Sequence, residues 1–151
     1  MLQATKTSIW RSRYEVSADG RPLTTWDGRV WKSGGDFELA GQRYQVRANL
    51  LGSTYTMVDG AGATLASARR VGRKQWTVET GRATYTFRRK SMWSREQELL
   101  TGGTRVGSVR RTSAWRSDAV ADLPGMPLPV QLFVLGVVIS MWEAQRAAAS
   151  G

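Results

Sequence analysis

The residues of this chain best suited to chemistry are cations. Arg69, Arg70, Arg73, Lys74, Arg88, Arg89, Lys90, Arg110 and Arg111 fall within one stretch. Residues 69–111 hold 12 basic and 3 acidic side chains, against a net charge of +10 for the whole chain. Guanidinium forks match the oxygens of phosphate, and several cations converging on one anion raise affinity. The same residues could instead form a solvated, edge-protecting exterior. Glu96 and Glu98 are two apart, so a strand would place them on one face. That spacing could serve paired carboxylates in acid–base work, although a charged outer face explains it as well. Gly60 and Gly62 resemble the start of a dinucleotide fingerprint, but Leu65 stands where its third glycine belongs and no helix pattern follows.

The composition excludes much other chemistry. With no His and no Cys, the chain lacks the commonest general base, the Ser-His dyad, thiolate chemistry and Cys-ligated zinc. No acidic run has the density of a calcium site. We therefore expect no metal, no cofactor and no catalytic set, and a binding module rather than an enzyme. A hydrolase or lyase working with carboxylates alone is the enzymatic alternative. The first residues lack a basic-then-apolar signal layout, so the expected location is cytoplasmic, at most peripheral to a membrane.

The elements that must position these cations read as strands. From Ser8 to about Asp122 the apolar residues alternate with a period of two, and turn signals recur about every ten residues. Trp10, Ser12, Tyr14 and Val16 share one face of the first run. Asp19-Gly20 is a hairpin signal, Pro22 opens the next run, and Arg29–Lys32 forms a third piece. Tyr44, Val46 and Ala48 are expected inward, as are Trp76 with Val78, and Ala83 with Tyr85 and Phe87. The segment from Trp93 to Leu100 suits helix or strand, and its flanks favour strand. A last run covers about Ala114 to Leu123. The tally is eleven or twelve short strands in an antiparallel meander. Of the seven tryptophans, Trp10, Trp76, Trp93, Trp115 and Trp142 are read as core, and Trp26 and Trp31, beside turns, as exposed. Trp76 and Trp93 next to cations also admit a lipid-interface or nucleic-acid role.

Pro124, Pro127 and Pro129 end the strands, and a helix follows from about Leu128 to Ala149. From Leu128 to Trp142 it is apolar on every side, which marks either a core axis or a membrane span. At about 1.5 Å per residue that stretch reaches roughly 22 Å, short of the ~30 Å hydrocarbon layer. Gln131 and Ser140 interrupt it, and Glu143 and Arg146 follow closely. A barrel of about twelve strands has a lumen too wide for side chains alone, and one helix about 10–12 Å across would fill it. We therefore expect a single domain over residues 1–151: a mainly β fold, a closed antiparallel barrel of about 12 strands (about 8–123) wrapped around one hydrophobic C-terminal helix.

This layout, short strands with turn-spaced glycines followed by the stretch Pro127–Trp142, resembles the tubby-like superfamily, which includes the tubby C-terminal domain, the LURP-one-related proteins and the phospholipid scramblases. The resemblance covers about residues 8–148 and includes no catalytic motif. It implies docking on anionic lipid headgroups, phosphoinositides among them, or on another phosphorylated or acidic partner. The chain has no Cys cluster for palmitoylation and no calcium-binding acidic run, so calcium-dependent scrambling is not implied. A nucleic-acid-binding barrel is the alternative, and a structural or protein-interaction domain without a small ligand is another. A plugged lumen puts any ligand site outside the barrel, at the basic turns between residues 69 and 111.

Overall fold

Alternation of apolar and polar residues produces strands, and paired positive-φ residues turn one strand back on the next. Asp19 and Gly20 have φ of 49° and 83°, and Ala40 and Gly41 have 51° and 78°. Two successive left-handed residues are what a tight hairpin needs to match the strand twist. The computed structural model describes residues 1–7, 13–27, 31, 34–112 and 118–150. The strands are β1 (Leu2–Lys6), β2 (Arg13–Ala18), β3 (Arg21–Asp27), β4 (Gly35–Leu39), β5 (Gln42–Ala48), β6 (Thr54–Val58), β7 (Thr64–Arg69), β8 (Gln75–Thr80), β9 (Thr84–Arg89), β10 (Gln97–Thr101), β11 (Thr104–Arg111) and β12 (Ala119–Asp122). One long helix, α1 (Leu128–Ser150), follows. Trp10, Ser12, Trp115 and, apart from Trp31, the piece Arg29–Lys32 lie outside the described residues.

All twelve strands form one antiparallel sheet in the order β3-β2-β1-β12-β11-β10-β9-β8-β7-β6-β5-β4. The edge strands β3 and β4 lie against each other, so the sheet is a nearly closed barrel. Pro22, which cannot donate to a ladder, sits on edge strand β3. Three register shifts, at Val16/Ser17, Met57/Val58 and Leu99/Leu100, add the local twist that curls a sheet.

The first strand departs from the expectation that strands begin near Ser8. Leu2–Lys6 pairs with β2 on one side and with β12 on the other. Five residues with only Leu2 and Ala4 buried carry little periodic signal. Their second partner lies at the far end of the chain, where no local pattern points. The Asp118 carboxylate also accepts a hydrogen bond from Lys6 N at 3.1 Å.

Helix α1 is long and apolar enough to cross a membrane, but every residue from Leu132 to Trp142 is buried inside the barrel. Its two polar interruptions are both satisfied. Gln131 Nε2 donates to the Met126 carbonyl at 2.7 Å, and Ser140 Oγ pairs with Tyr55 OH at 3.1 Å in the interior. The helix backbone runs closest to β7 and β12, whose inward residues are alanines: Ala66 and Ala68, Ala119 and Ala121. Small side chains let the backbones approach, and large ones fill the wider gaps. Trp26, Trp31, Phe37 and Phe133 fill one such gap, with Trp26 and Trp31 centroids 5.4 Å apart and Trp31 and Phe133 6.1 Å apart. Trp26 and Trp31 are therefore buried, which corrects the expectation that turn-proximal tryptophans are exposed. They lie near the β3–β4 seam, where no ladder joins the strands among the described residues and bulk must close the wall.

Candidate functional site

Antiparallel order puts alternate turns on the same rim. The β5–β6, β7–β8 and β9–β10 connections, the end of β11 and the start of β12 share one end of the barrel, as the pairs Ala48↔Tyr55, Thr54↔Arg69, Arg69↔Thr77, Gln75↔Arg88, Gln97↔Arg89 and Arg111↔Ala119 show. Helix α1 leaves the barrel at this same rim. Trp142 Nε1 donates to the Arg95 carbonyl at 2.8 Å, and Tyr14 OH donates to the Glu143 carboxylate at 2.7 Å. We call this end the exit rim.

The β7–β8 loop, residues 70–74, is pinned from below. Val71 is buried, and its N–H donates to the Ser53 carbonyl at 3.0 Å. Arg70 adopts φ 61° and Gly72 φ 91°, so the loop turns tightly and leaves Arg70, Arg73 and Lys74 exposed. Arg89 N donates to the Lys74 carbonyl at 2.9 Å, which ties the end of β9 to this loop. Three adjoining surface depressions result. Ser53, Thr54, Arg69, Arg70 and Arg73 line one. Arg70, Arg73, Lys74 and Gln75 border the second. Lys74, Arg88, Arg89, Lys90, Ser91 and Met92 line the third. Seven of the nine cations singled out in the sequence thus share one continuous patch.

The other two are placed differently. Arg110 is exposed on β11 and lines none of these depressions. Arg111 is half-buried, with its guanidinium 5.1 Å from the Trp142 ring centroid. Burial, with Arg146 and Arg95 nearby, pushes its pKa below the ordinary arginine value. Its stacking on Trp142 fits a role at the helix exit.

Within the patch the cations are not equally free. Arg69 pairs with Glu79 at 3.6 Å. Arg88 reaches Glu98 at 3.5 Å, Lys90 reaches Glu96 at 3.8 Å, and Arg105 bridges both carboxylates at 3.4 and 3.6 Å. Glu96 and Glu98 do share a face, but their side chains are only 14% and 10% exposed beneath these cations. The arrangement holds arginines in place and leaves neither carboxylate open to a substrate. Among the described residues, Arg70, Arg73, Lys74 and Arg89 have no carboxylate within ion-pair distance, and no group of His, Cys, Asp and Glu could hold a metal ion.

Sequence reasoning missed two further features of the exit rim. Leu50 and Leu51, in the β5–β6 loop, and Met92, in the β9–β10 loop, are exposed large apolar side chains. Trp93, next to Met92, is exposed too, which corrects its reading as a core residue: it stands in the bend of the β9–β10 loop, whereas Trp76 is wholly buried with its Nε1 on Gln97 Oε1 at 2.9 Å. Paired leucines usually belong to a core; the available signal was their position between Asn49 and Gly52, inside a turn. No family model, no curated protein and no solved structure matches this chain.

Proposed function

We propose that this chain is a non-enzymatic, tubby-like binding module that docks phosphate-bearing anions on its exit rim. The observation that supports this reading best is the patch spanning the β7–β8 loop and the end of β9. There Arg70, Arg73, Lys74 and Arg89 stand together without carboxylate partners, while Arg69, Arg88 and Lys90 flank them in ion pairs. Uncompensated cations on adjoining loops create a positive potential that attracts an anion and holds it through charge-assisted hydrogen bonds. The tubby-like assignment rests on the barrel-around-helix layout. The lumen is filled by α1, so the binding surface is external, and the site is shallow and open, as suits a headgroup rather than an enclosed small molecule.

A nucleic-acid surface is the less favoured reading. Sequence-tolerant binding of single strands uses several exposed rings as stacking platforms, and among the described residues Trp93 is the one large exposed aromatic. The test is titration of the full chain with inositol hexakisphosphate and with a single-stranded oligonucleotide at two salt concentrations. Salt-dependent binding of the inositol phosphate is expected, with at least a tenfold loss in Arg70→Gln/Arg73→Gln/Lys74→Gln. Binding unchanged in that variant, or tighter binding of the oligonucleotide, would remove the proposal.

A further inference from the structure

The strongest unexplained feature among the described residues is where four of the six exposed large apolar side chains lie; the other two, Met1 and Val106, are less exposed and sit away from these loops. Leu50 is 106% exposed, Leu51 89%, Met92 79% and Trp93 93%. All four sit on the exit rim, on the two loops that flank the basic β7–β8 loop. The ladder fixes this order, because β6 pairs with β7, β7 with β8, and β8 with β9. With strands about 4.8 Å apart, loops two strands apart stand roughly 10 Å from each other. The apolar tips are thus two separate protrusions about 20 Å apart, with Arg70, Arg73 and Lys74 between them.

Both protrusions are held in shape. In the β5–β6 loop, Asn49 Oδ1 accepts from Ser53 N at 2.9 Å and from Thr54 N at 3.1 Å, and Gly52 N donates to the Asn49 carbonyl at 3.1 Å. Leu50 and Leu51 are the two central residues of that turn, where Gly, Asn, Asp or Pro is the usual choice. In the β9–β10 loop, Ser94 N donates to Ser91 Oγ at 3.0 Å, and Lys90 N donates to the Glu96 carbonyl at 3.0 Å. Met92 and Trp93 occupy the bend between these bonds. Neither pair supports the local fold, and both lose hydrophobic free energy by standing in water.

We infer that the exit rim docks on the surface of an anionic lipid bilayer, with Leu50, Leu51, Met92 and Trp93 inserted among the lipids and the basic loop at the level of the headgroup phosphates. This rests on the anion-binding reading above and assigns its anion to a membrane. A bilayer is the partner that matches the whole rim. It offers one plane to several separated protrusions, a negative layer at the height of the cations, and an apolar layer just beneath for the tips. Tryptophan favours that boundary. A free phosphorylated ligand would use the cations and leave the four apolar tips in water. The exit of α1 at the same rim places its tail, residues 143–150, on the membrane-facing side.

The experiment compares three forms of the full chain: the natural sequence, the apolar variant Leu50→Ser/Leu51→Ser/Met92→Ser/Trp93→Ser, and the charge variant Arg70→Gln/Arg73→Gln/Lys74→Gln. Each is measured against phosphatidylcholine vesicles carrying phosphatidylserine and against soluble inositol hexakisphosphate. All seven substituted positions are exposed, and far-UV circular dichroism with thermal unfolding confirms that each form is folded. The apolar variant is expected to lose at least tenfold in vesicle affinity and nothing for the soluble anion. The charge variant is expected to lose both. On vesicles the tryptophan emission of the natural sequence should shift to the blue, and Trp93→Phe should abolish that shift. Vesicle binding by the apolar variant equal to that of the natural sequence overturns the insertion while leaving the anion reading standing. Binding of the soluble anion without vesicle binding overturns the membrane assignment. Binding of neither removes both.

Discussion

Gly136 offers the sharpest test of how the helix fits its barrel. A Cβ at this position would overlap Trp31, at ring atoms Cζ2 and Cε2. Replacing a helix-interior glycine by alanine ordinarily stabilises by about 1 kcal/mol. Here the tryptophan cannot easily withdraw, because Trp26, Phe37 and Phe133 enclose it at centroid distances of 5.4, 6.1 and 6.1 Å. Overpacking of this kind costs about 1–3 kcal/mol, so Gly136→Ala should destabilise by up to ~2 kcal/mol net. Expulsion of the ring would cost more, since burying ~150–250 Å² at ~25 cal/mol per Å² contributes about 4–6 kcal/mol. Trp31→Ala alone should cost about 3–5 kcal/mol. In the Trp31→Ala background the obstacle is gone, and Gly136→Ala should reverse sign and stabilise by about 1 kcal/mol. The coupling between the two positions is then ~1–3 kcal/mol, measurable by a double-mutant cycle. Urea unfolding followed by far-UV circular dichroism supplies all four stabilities. A rise in midpoint for Gly136→Ala in the natural background, or the same effect in both backgrounds, would refute the packing described for α1.

Three further outcomes follow from particular contacts. Gln97→Leu removes the acceptor of the buried Trp76 indole N–H and should lower stability by about 1–3 kcal/mol, read as a reduced Tm. Burial raises the Tyr55 phenol above its usual value of 10.0, outweighing its bond to Ser140. The unfolded chain then loses this proton at lower pH than the native one, so stability is intact below about pH 10 and falls as pH rises beyond it; Tyr55→Phe should flatten that fall in pH-dependent urea unfolding, and an unchanged slope would show that Tyr55 is not its source. Glu96→Gln releases Lys90 and one contact of Arg105, adding one net positive charge at the rim. Vesicle affinity should rise by about fivefold, since a charge near an anionic surface is worth ~1 kcal/mol; a loss of binding would mean that Glu96 contributes something beyond charge balance.

Much of the architecture could be read from local pattern. Tyr44, Val46, Trp76, Val78 and Phe87 face inward where a period of two put them, and Asp19-Gly20 makes its turn because both residues accept positive φ. The helix was legible because no strand pattern produces so long an apolar run, and its role as a plug because the strands before it needed one. What escaped depends on distance along the chain. β1 exists because β12 offers it an edge, and nothing within Leu2–Lys6 announces that partner. Trp26 and Trp31 are buried by a seam between strands whose closeness no local signal records. The convergence of Arg69–Lys74 with Arg88–Lys90 was foreseeable from a meander, whereas the ion pairs that occupy Arg69, Arg88 and Lys90 depend on side-chain placement across neighbouring strands. Leu50 and Leu51 were hidden by their type, since an apolar pair reads as core until its turn is seen from outside.

The orientation of the barrel on a bilayer can be measured directly. The chain contains no cysteine, so single substitutions carry a fluorescent label without competition. Leu51→Cys places a polarity-sensitive probe on the exit rim, and Ala61→Cys places one in the β6–β7 turn at the opposite rim. On phosphatidylserine-containing vesicles the probe at position 51 should shift to the blue and be quenched by brominated lipid, while the probe at position 61 should report water throughout. A blue shift at position 61 with none at position 51 would contradict docking through the exit rim, and water at both positions in vesicle-bound protein would contradict insertion.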